Sequence, residues 1–275
     1  MYPILFLKEC FEFNFQWFVA IINDMLCRVE DVVLGEVKVE KPIFIVGHAR
    51  SGTTNLFECL VNPKYACASR FEDILCTSYI FRLFFQWPLK YILNHAYQTS
   101  YDSPAHRVHI TYLCELHEYL YAKRKASSLA MIFPRLSYLK SAGKINKHDL
   151  NMIKKYIQRK LVWEGKTQYI CKSIELTQNA KLIKEVFPDA RIILCVRKPE
   201  ECLPSVAGLW YSMPCWQGLS SEHKAGLFRN YVTNNSIPGL KAIRMKLSHM
   251  MYGWISKTGK KTHKLSWTGS ATPWN

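Results

Sequence analysis

The stretch Lys41-Pro-Ile-Phe-Ile-Val-Gly-His-Ala-Arg-Ser-Gly-Thr-Thr-Asn55 constrains this chain more than any other. Ile43 to Val46 is a short apolar run rich in β-branched residues, the pattern of a strand covered on both faces of a parallel sheet. Gly47 ends the run, Arg50-Ser51-Gly52-Thr53-Thr54 forms a turn, and an amphipathic run follows from Asn55 to Leu60. Strand, glycine-containing turn and helix N-terminus, in that order, hold phosphate on backbone N–H groups and on the positive end of a helix dipole. Thr167-Gln-Tyr-Ile-Cys-Lys172 reads as a second core strand that ends in a Lys. A helix over 179–187, closed by Pro188-Asp189-Ala190, leads into a third strand at Arg191–Val196, and Arg197 follows it. Strand, helix, strand predicts a parallel crossover. Ligands of such open sheets lie at the carboxyl ends of the strands. That rule gathers Arg50, Lys172 and Arg197 on one edge of an α/β, three-layer sandwich with a central, mostly parallel sheet.

The spacing from Gly47 to Gly52 equals that of G-x-x-x-x-G-K-[ST], but Thr53 stands where the Lys of a nucleotide triphosphatase belongs. A kinase or nucleotide hydrolase also needs an Asp that holds Mg²⁺ at a neighbouring strand end, and here the strand ends carry Lys172 and Arg197. That alternative therefore ranks second. Lys and Arg number 37 against 21 Asp and Glu, a formal charge of +16, which favours anionic partners. The basic residues are spread rather than interleaved with aromatics on a platform, so no nucleic-acid partner is expected. No carboxylate cluster suits a metal, and none is expected. The ten Cys contain no C-x-x-C, and Cys171 and Cys195 lie in apolar runs. Such thiols behave as small buried hydrophobes and suit a reduced, cytoplasmic or membrane-associated setting.

The 275 residues show no repeat and no Gly/Ser linker. The expected organisation is an N-terminal helical extension over 1–40, one domain over 41–255 and an irregular basic tail over 256–275. Residues 1–40 lack the basic leader and cleavage site of a signal peptide. Phe13–Ile22 falls short of the ~20 residues that span a bilayer. A helix packed on the domain is the expectation there, with peripheral membrane contact as the lesser alternative. Farther on, Ile74–Leu93 reads as a helical pair over the functional face, 97–107 as loop and 110–125 as helix. Residues 147–163 form a helix behind Asn146 as N-cap.

Gly47-His48-Ala49-Arg50-Ser51-Gly52-Thr53-Thr54 resembles the 5′-phosphosulfate-binding loop of sulfotransferases that use 3′-phosphoadenylyl sulfate. Val196-Arg197-Lys198-Pro199-Glu200-Glu201-Cys202-Leu203-Pro204-Ser205 resembles their 3′-phosphate-binding element, an Arg that closes a strand and a Ser from the next helix. The motif layout is most similar to the tyrosylprotein-sulfotransferase-like branch, over about residues 42–207. The resemblance implies a P-loop-like sulfotransferase fold and transfer of a sulfuryl group from 3′-phosphoadenylyl sulfate to a hydroxyl. The acceptor could be a carbohydrate, a small molecule or a protein tyrosine. It also implies donor contacts from Arg50, Ser51, Gly52, Thr53, Thr54, Arg197 and Ser205, with Lys172 touching the leaving phosphosulfate. Glu72, in the loop beyond Pro63, fits the catalytic base, with Asp73 as its rival and His48 and His117 as outside candidates. Ser212–Asn275 lacks the Tyr/Asp/Pro-containing segment that usually follows in that branch. An inactive, sulfotransferase-like binding protein is therefore a further alternative.

Overall fold

The computed structural model describes residues 18, 21–62, 64–84, 91, 94, 95, 98, 102, 109, 111–116, 119, 145–212 and 220–231. Among the described residues four strands form an all-parallel sheet: β1 (Ile43–Gly47), β2 (Ala66–Cys67), β3 (Gln168–Lys172) and β4 (Arg191–Cys195), in the order β2-β3-β1-β4. The third and fourth strands pair not with each other but with β1, which lies between them. Ile45 stands opposite Lys172, and Gly47 opposite Cys195. Because all strands run the same way, their carboxyl ends share one edge.

Helices cover both faces of the sheet. The α1 helix spans residues 21–34, α2 Thr53–Leu60, α3 Phe71–Leu75, α4 Lys147–Glu164, α5 Ala180–Val186, α6 Pro199–Ser212 and α7 Ser221–Tyr231. On one face Phe44, Val46, Tyr169 and Cys171 pack against Leu150, Ile153, Ile157 and Leu161 of α4, and against Ile183, Val186 and Phe187. The α4 residues recur at helical spacing, so one stripe of that helix meets the sheet. Asn146 caps α4 by accepting from the Asp149 N–H at 3.1 Å, and Gly165, at φ 60°, ends it. On the other face Ile45 and Ile170 pack against Phe57 of α2, with Ala66 and Ala68.

Two expectations need amendment. The helix read over 179–187 begins earlier, as a 3₁₀ turn at Glu175–Asn179 that continues into α5. Residues 111–116, read as the start of a helix, are turn and extended chain, with Leu113 in an antiparallel bridge to Arg70. The Cys114 N–H donates to the Ser69 carbonyl at 3.0 Å, and that of Phe71 to the Tyr112 carbonyl at 3.3 Å. These long-range bonds outweigh the helical periodicity of the stretch. Of the pair read over 74–93, residues 74–84 form the end of α3, a bend at Cys76 and a helical stretch over 79–84; 85–90, 92, 93 and His117 lie outside the described residues.

The α1 helix turns its polar side inward. Asn23, Cys27 and Glu30 are buried, whereas Met25, Val29, Val32 and Val33 are exposed. Asn23 donates to Thr77 Oγ1 at 2.8 Å and accepts from the Ser78 N–H at 2.8 Å. Glu30 accepts from Ser78 Oγ and from the Ile80 N–H, each at 2.7 Å.

Next to that contact lies a buried ion cluster. Asp73, on the first turn of α3, meets Arg82 Nη1 at 2.7 Å and Lys160 Nζ at 2.6 Å, and accepts from the Arg70 N–H at 2.7 Å. Burial alone would raise the Asp73 pKa, but the Arg82 and Lys160 charges outweigh it and hold the carboxyl below its ordinary 3.8. Removing one member of a buried pair strands its partners. Asp73→Asn is therefore expected to cost about 3 kcal/mol in urea unfolding at neutral pH. A group whose folded pKa is depressed stabilises fully above its unfolded value, and that stabilisation is lost as pH falls through the folded one. The gap between wild type and variant should accordingly hold from pH 8 down to about 4 and close in stronger acid.

Candidate functional site

The turn between β1 and α2 is built from backbone bonds and unusual dihedrals. The Ser51 N–H donates to the His48 carbonyl at 3.1 Å. Arg50 takes φ 64° and Gly52 φ 91°, so two left-handed residues reverse the chain before α2 begins. Gly47 is needed for space: a Cβ there would stand 2.5 Å from the Cys195 carbonyl oxygen and 2.9 Å from Ser51 Oγ. Thr177 clamps the same residue, accepting from the Gly47 N–H at 2.9 Å and donating to the Gly47 carbonyl at 3.0 Å. No motif signals Thr177 in the sequence, because it sits on the 3₁₀ turn after β3 and reaches Gly47 only through the β1–β3 pairing.

The α2 helix has no side-chain cap and no acidic residue in its first turn. Its leading N–H groups and dipole therefore favour an anion. Ser51 Oγ, beside them, is buried and has no hydrogen-bond partner among the described residues. An orphaned buried hydroxyl in such a turn fits an external acceptor such as a phosphate oxygen.

The two sequence motifs meet here. Arg50 Nε donates to Ser205 Oγ of α6 at 2.8 Å, and Arg197 Nη1 donates to the Arg50 carbonyl at 3.3 Å. Arg197, two residues beyond β4, is exposed and pairs with Glu201 Oε2 at 2.7 Å. Lys172, the last residue of β3, donates to Thr54 Oγ1 at 2.7 Å and lies 3.0 Å from Glu115 Oε1. Thr53 is buried under the turn, whereas Thr54 is exposed at the start of α2. Lys172 thus reaches the first turn of α2, and Arg197 reaches the turn that carries Arg50, each from its own strand end.

The carboxylate candidates occupy a different part of the edge. Glu72 is half-buried on the first turn of α3. The connection to Lys172 runs through the backbone of the 111–116 loop. That loop bonds the Ser69–Phe71 segment at one end, and its Leu116 N–H donates to the Lys172 carbonyl at 2.9 Å at the other. Ser69 is itself fixed, its hydroxyl bonded to Tyr156 at 2.7 Å and to Tyr169. Asp73 belongs to the buried ion cluster instead. His48 is buried in the turn, with Nδ1 2.8 Å from the Ala49 carbonyl, so Nδ1 carries the proton and donates. Glu115 went unread in the sequence because its segment carries a helical pattern.

The chain matches the Sulfotransferase family over residues 42–229. It is similar in structure to the sulfotransferase STF1 of Mycobacterium tuberculosis, with a TM-score of 0.58 and 16% identity over 83% of this chain and 66% of that one. The sulfotransferase STF9 of Mycobacterium avium superimposes with a TM-score of 0.50 and 18% identity, over 76% of this chain and 57% of that one. The chain thus spans under two thirds of either solved structure. No curated protein matches it. The parallel sheet, the turn into α2 and the match over most of its length agree, and the chain belongs to the Sulfotransferase family.

Proposed function

We propose that the protein transfers a sulfuryl group from 3′-phosphoadenylyl sulfate to a hydroxyl-bearing acceptor. The observation that carries this reading is the Arg50–Ser205 hydrogen bond, 2.8 Å long, which joins two phosphate-type motifs from distant parts of the chain. A donor with phosphate groups at both its 5′ and 3′ ends suits such a doubled site; a triphosphate does not, because the loop lacks its Lys. The motif layout, most similar to the tyrosylprotein-sulfotransferase-like branch, supports the same residue roles. Protein tyrosine, a carbohydrate and a small-molecule hydroxyl all remain candidate acceptors.

In this reading the α2 N-terminus, Ser51, Gly52, Thr53 and Thr54 bind the 5′-phosphosulfate, and Arg197 with Ser205 binds the 3′-phosphate. A planar guanidinium and a hydroxyl suit a dianionic phosphate. When bound, the donor supplies a sulfuryl group attached to a phosphate leaving group. Glu72 accepts the proton of the acceptor hydroxyl as its oxygen forms the bond to sulfur and the sulfur–oxygen bond to the 5′-phosphate breaks. Arg50, Lys172 and the α2 N–H groups compensate the charge that grows on the leaving oxygen. One fixed donor of this kind lowers the barrier by about 3 kcal/mol.

Two measurements test the assignment. Titration calorimetry on Arg197→Ala should show at least about tenfold weaker 3′-phosphoadenosine 5′-phosphate, with adenosine 5′-phosphosulfate within about threefold of wild type. Equal losses for both nucleotides would remove Arg197 from the 3′-phosphate. For the base, Glu72→Gln should leave nucleotide affinity unchanged and lower turnover by about two to four orders of magnitude. Full activity in that variant would exclude Glu72 as proton acceptor.

A further inference from the structure

Lys172 is 8% exposed, and an ammonium so far from water needs a counter-charge. In this structure Glu115 supplies it. Its Oε1 lies 3.0 Å from Lys172 Nζ, while its Oε2 accepts from the Ile174 N–H at 3.4 Å. One carboxylate therefore grips both the tip of the Lys172 side chain and the backbone just beyond β3. The same ammonium donates to Thr54 Oγ1 at 2.7 Å, in the first turn of α2. The cation thus bridges the head of the anion-binding helix and a carboxylate from the 111–116 loop.

Glu115 is only 25% exposed as a side chain, so the pair is largely shielded from solvent and salt. The Arg197–Glu201 pair differs, its side chains being 47% and 48% exposed, and water screens it. An anion arriving at the α2 N-terminus meets one cation already engaged by a shielded carboxylate. Carboxylate and phosphate oxygens then compete for the same ammonium, while the Thr54 bond holds that ammonium in place for either. The loop cannot withdraw freely, since Leu116 and Cys114 bond to the Lys172 and Ser69 carbonyls at 2.9 and 3.0 Å.

We propose that Glu115 is a positioning residue of the donor site. It holds the Lys172 ammonium against Thr54 as a stand-in for the donor's 5′-phosphate, and yields it when the nucleotide binds. This rests on the reading above, in which Lys172 faces the 5′ end of the donor. Glu115 acts through Lys172 and touches no reacting atom, so removing its charge should improve nucleotide binding rather than weaken it.

The test is titration calorimetry of the full chain with 3′-phosphoadenosine 5′-phosphate, in about 0.15 M salt. Glu115→Gln keeps the size and the Ile174 contact, and should bind the nucleotide three- to tenfold more tightly than wild type. The gain should vanish in the Lys172→Met background, a dependence that a merely structural Glu115 would not show. Equal or weaker binding by Glu115→Gln, or a gain that persists in the Lys172→Met background, overturns the proposal. Should Glu115→Gln fail to fold, Glu115→Asp takes its place. Its carboxylate is too short for both contacts, so at least a twofold gain is expected, lost in the same background; no gain there overturns the proposal equally. Failure of the wild-type chain to bind the nucleotide overturns the donor reading and this inference with it. Wild-type binding without the gain overturns this inference alone.

Discussion

The parallel pairing of β1 with a strand on either side sets where every charge of the site can stand. The hydrogen bonds that hold Ile45 against Lys172 and Gly47 against Cys195 bring three strand ends to one edge. A cation lies at or just beyond each of those strand ends: Lys172 closes β3, and Arg50 and Arg197 follow β1 and β4. The clamp of Thr177 on Gly47 and the bond from Arg50 to Ser205 are available only because that pairing has already been made. The core on both faces of the sheet serves the same end, since Phe44 and Ile45, neighbours on β1, anchor it to opposite helical layers.

Two adjacent acids on one short helix show how burial divides labour. Asp73 points into a buried cluster with two cations and a backbone N–H, and its charge is committed to holding α3 against α4. Glu72, one residue earlier and rotated by about 100° on the helix, keeps part of its surface in water. In the reading proposed above, Glu72 is the carboxylate that takes a proton during turnover, a role for which partial access to water is suited. The buried neighbour is held ionised below its ordinary pKa and suits a permanent load.

Much of the fold is legible from local pattern. The runs at 43–47, 168–172 and 191–195 are contiguous, apolar and punctuated, and the structure ends each within a residue or so of the pattern. The start of α4 is equally plain, because Asn146 and Asp149 form their cap within four residues of chain. The turn between β1 and α2 is legible because its pattern lies in consecutive residues. Glu115 and Thr177 are not, since what defines them is a partner more than fifty residues away. The 111–116 loop misleads for the same reason: its apolar spacing suits a helix, while its backbone is claimed by Ser69 and Lys172.

The inverted α1 helix draws the boundary of the folding unit in an unfamiliar place. The family match begins at residue 42, yet Asn23 and Glu30 satisfy buried groups on Thr77, Ser78 and Ile80, inside the matched region. Ser78 lies only four residues from Arg82, which in turn holds Asp73. A chain cut at the edge of the match would keep every motif and lose the acceptors that this segment was folded around. Each orphaned buried group costs about 1–3 kcal/mol, and several together rival the whole stability of a domain. For this protein the segment that evolution makes recognisable is smaller than the segment whose buried polar groups satisfy one another.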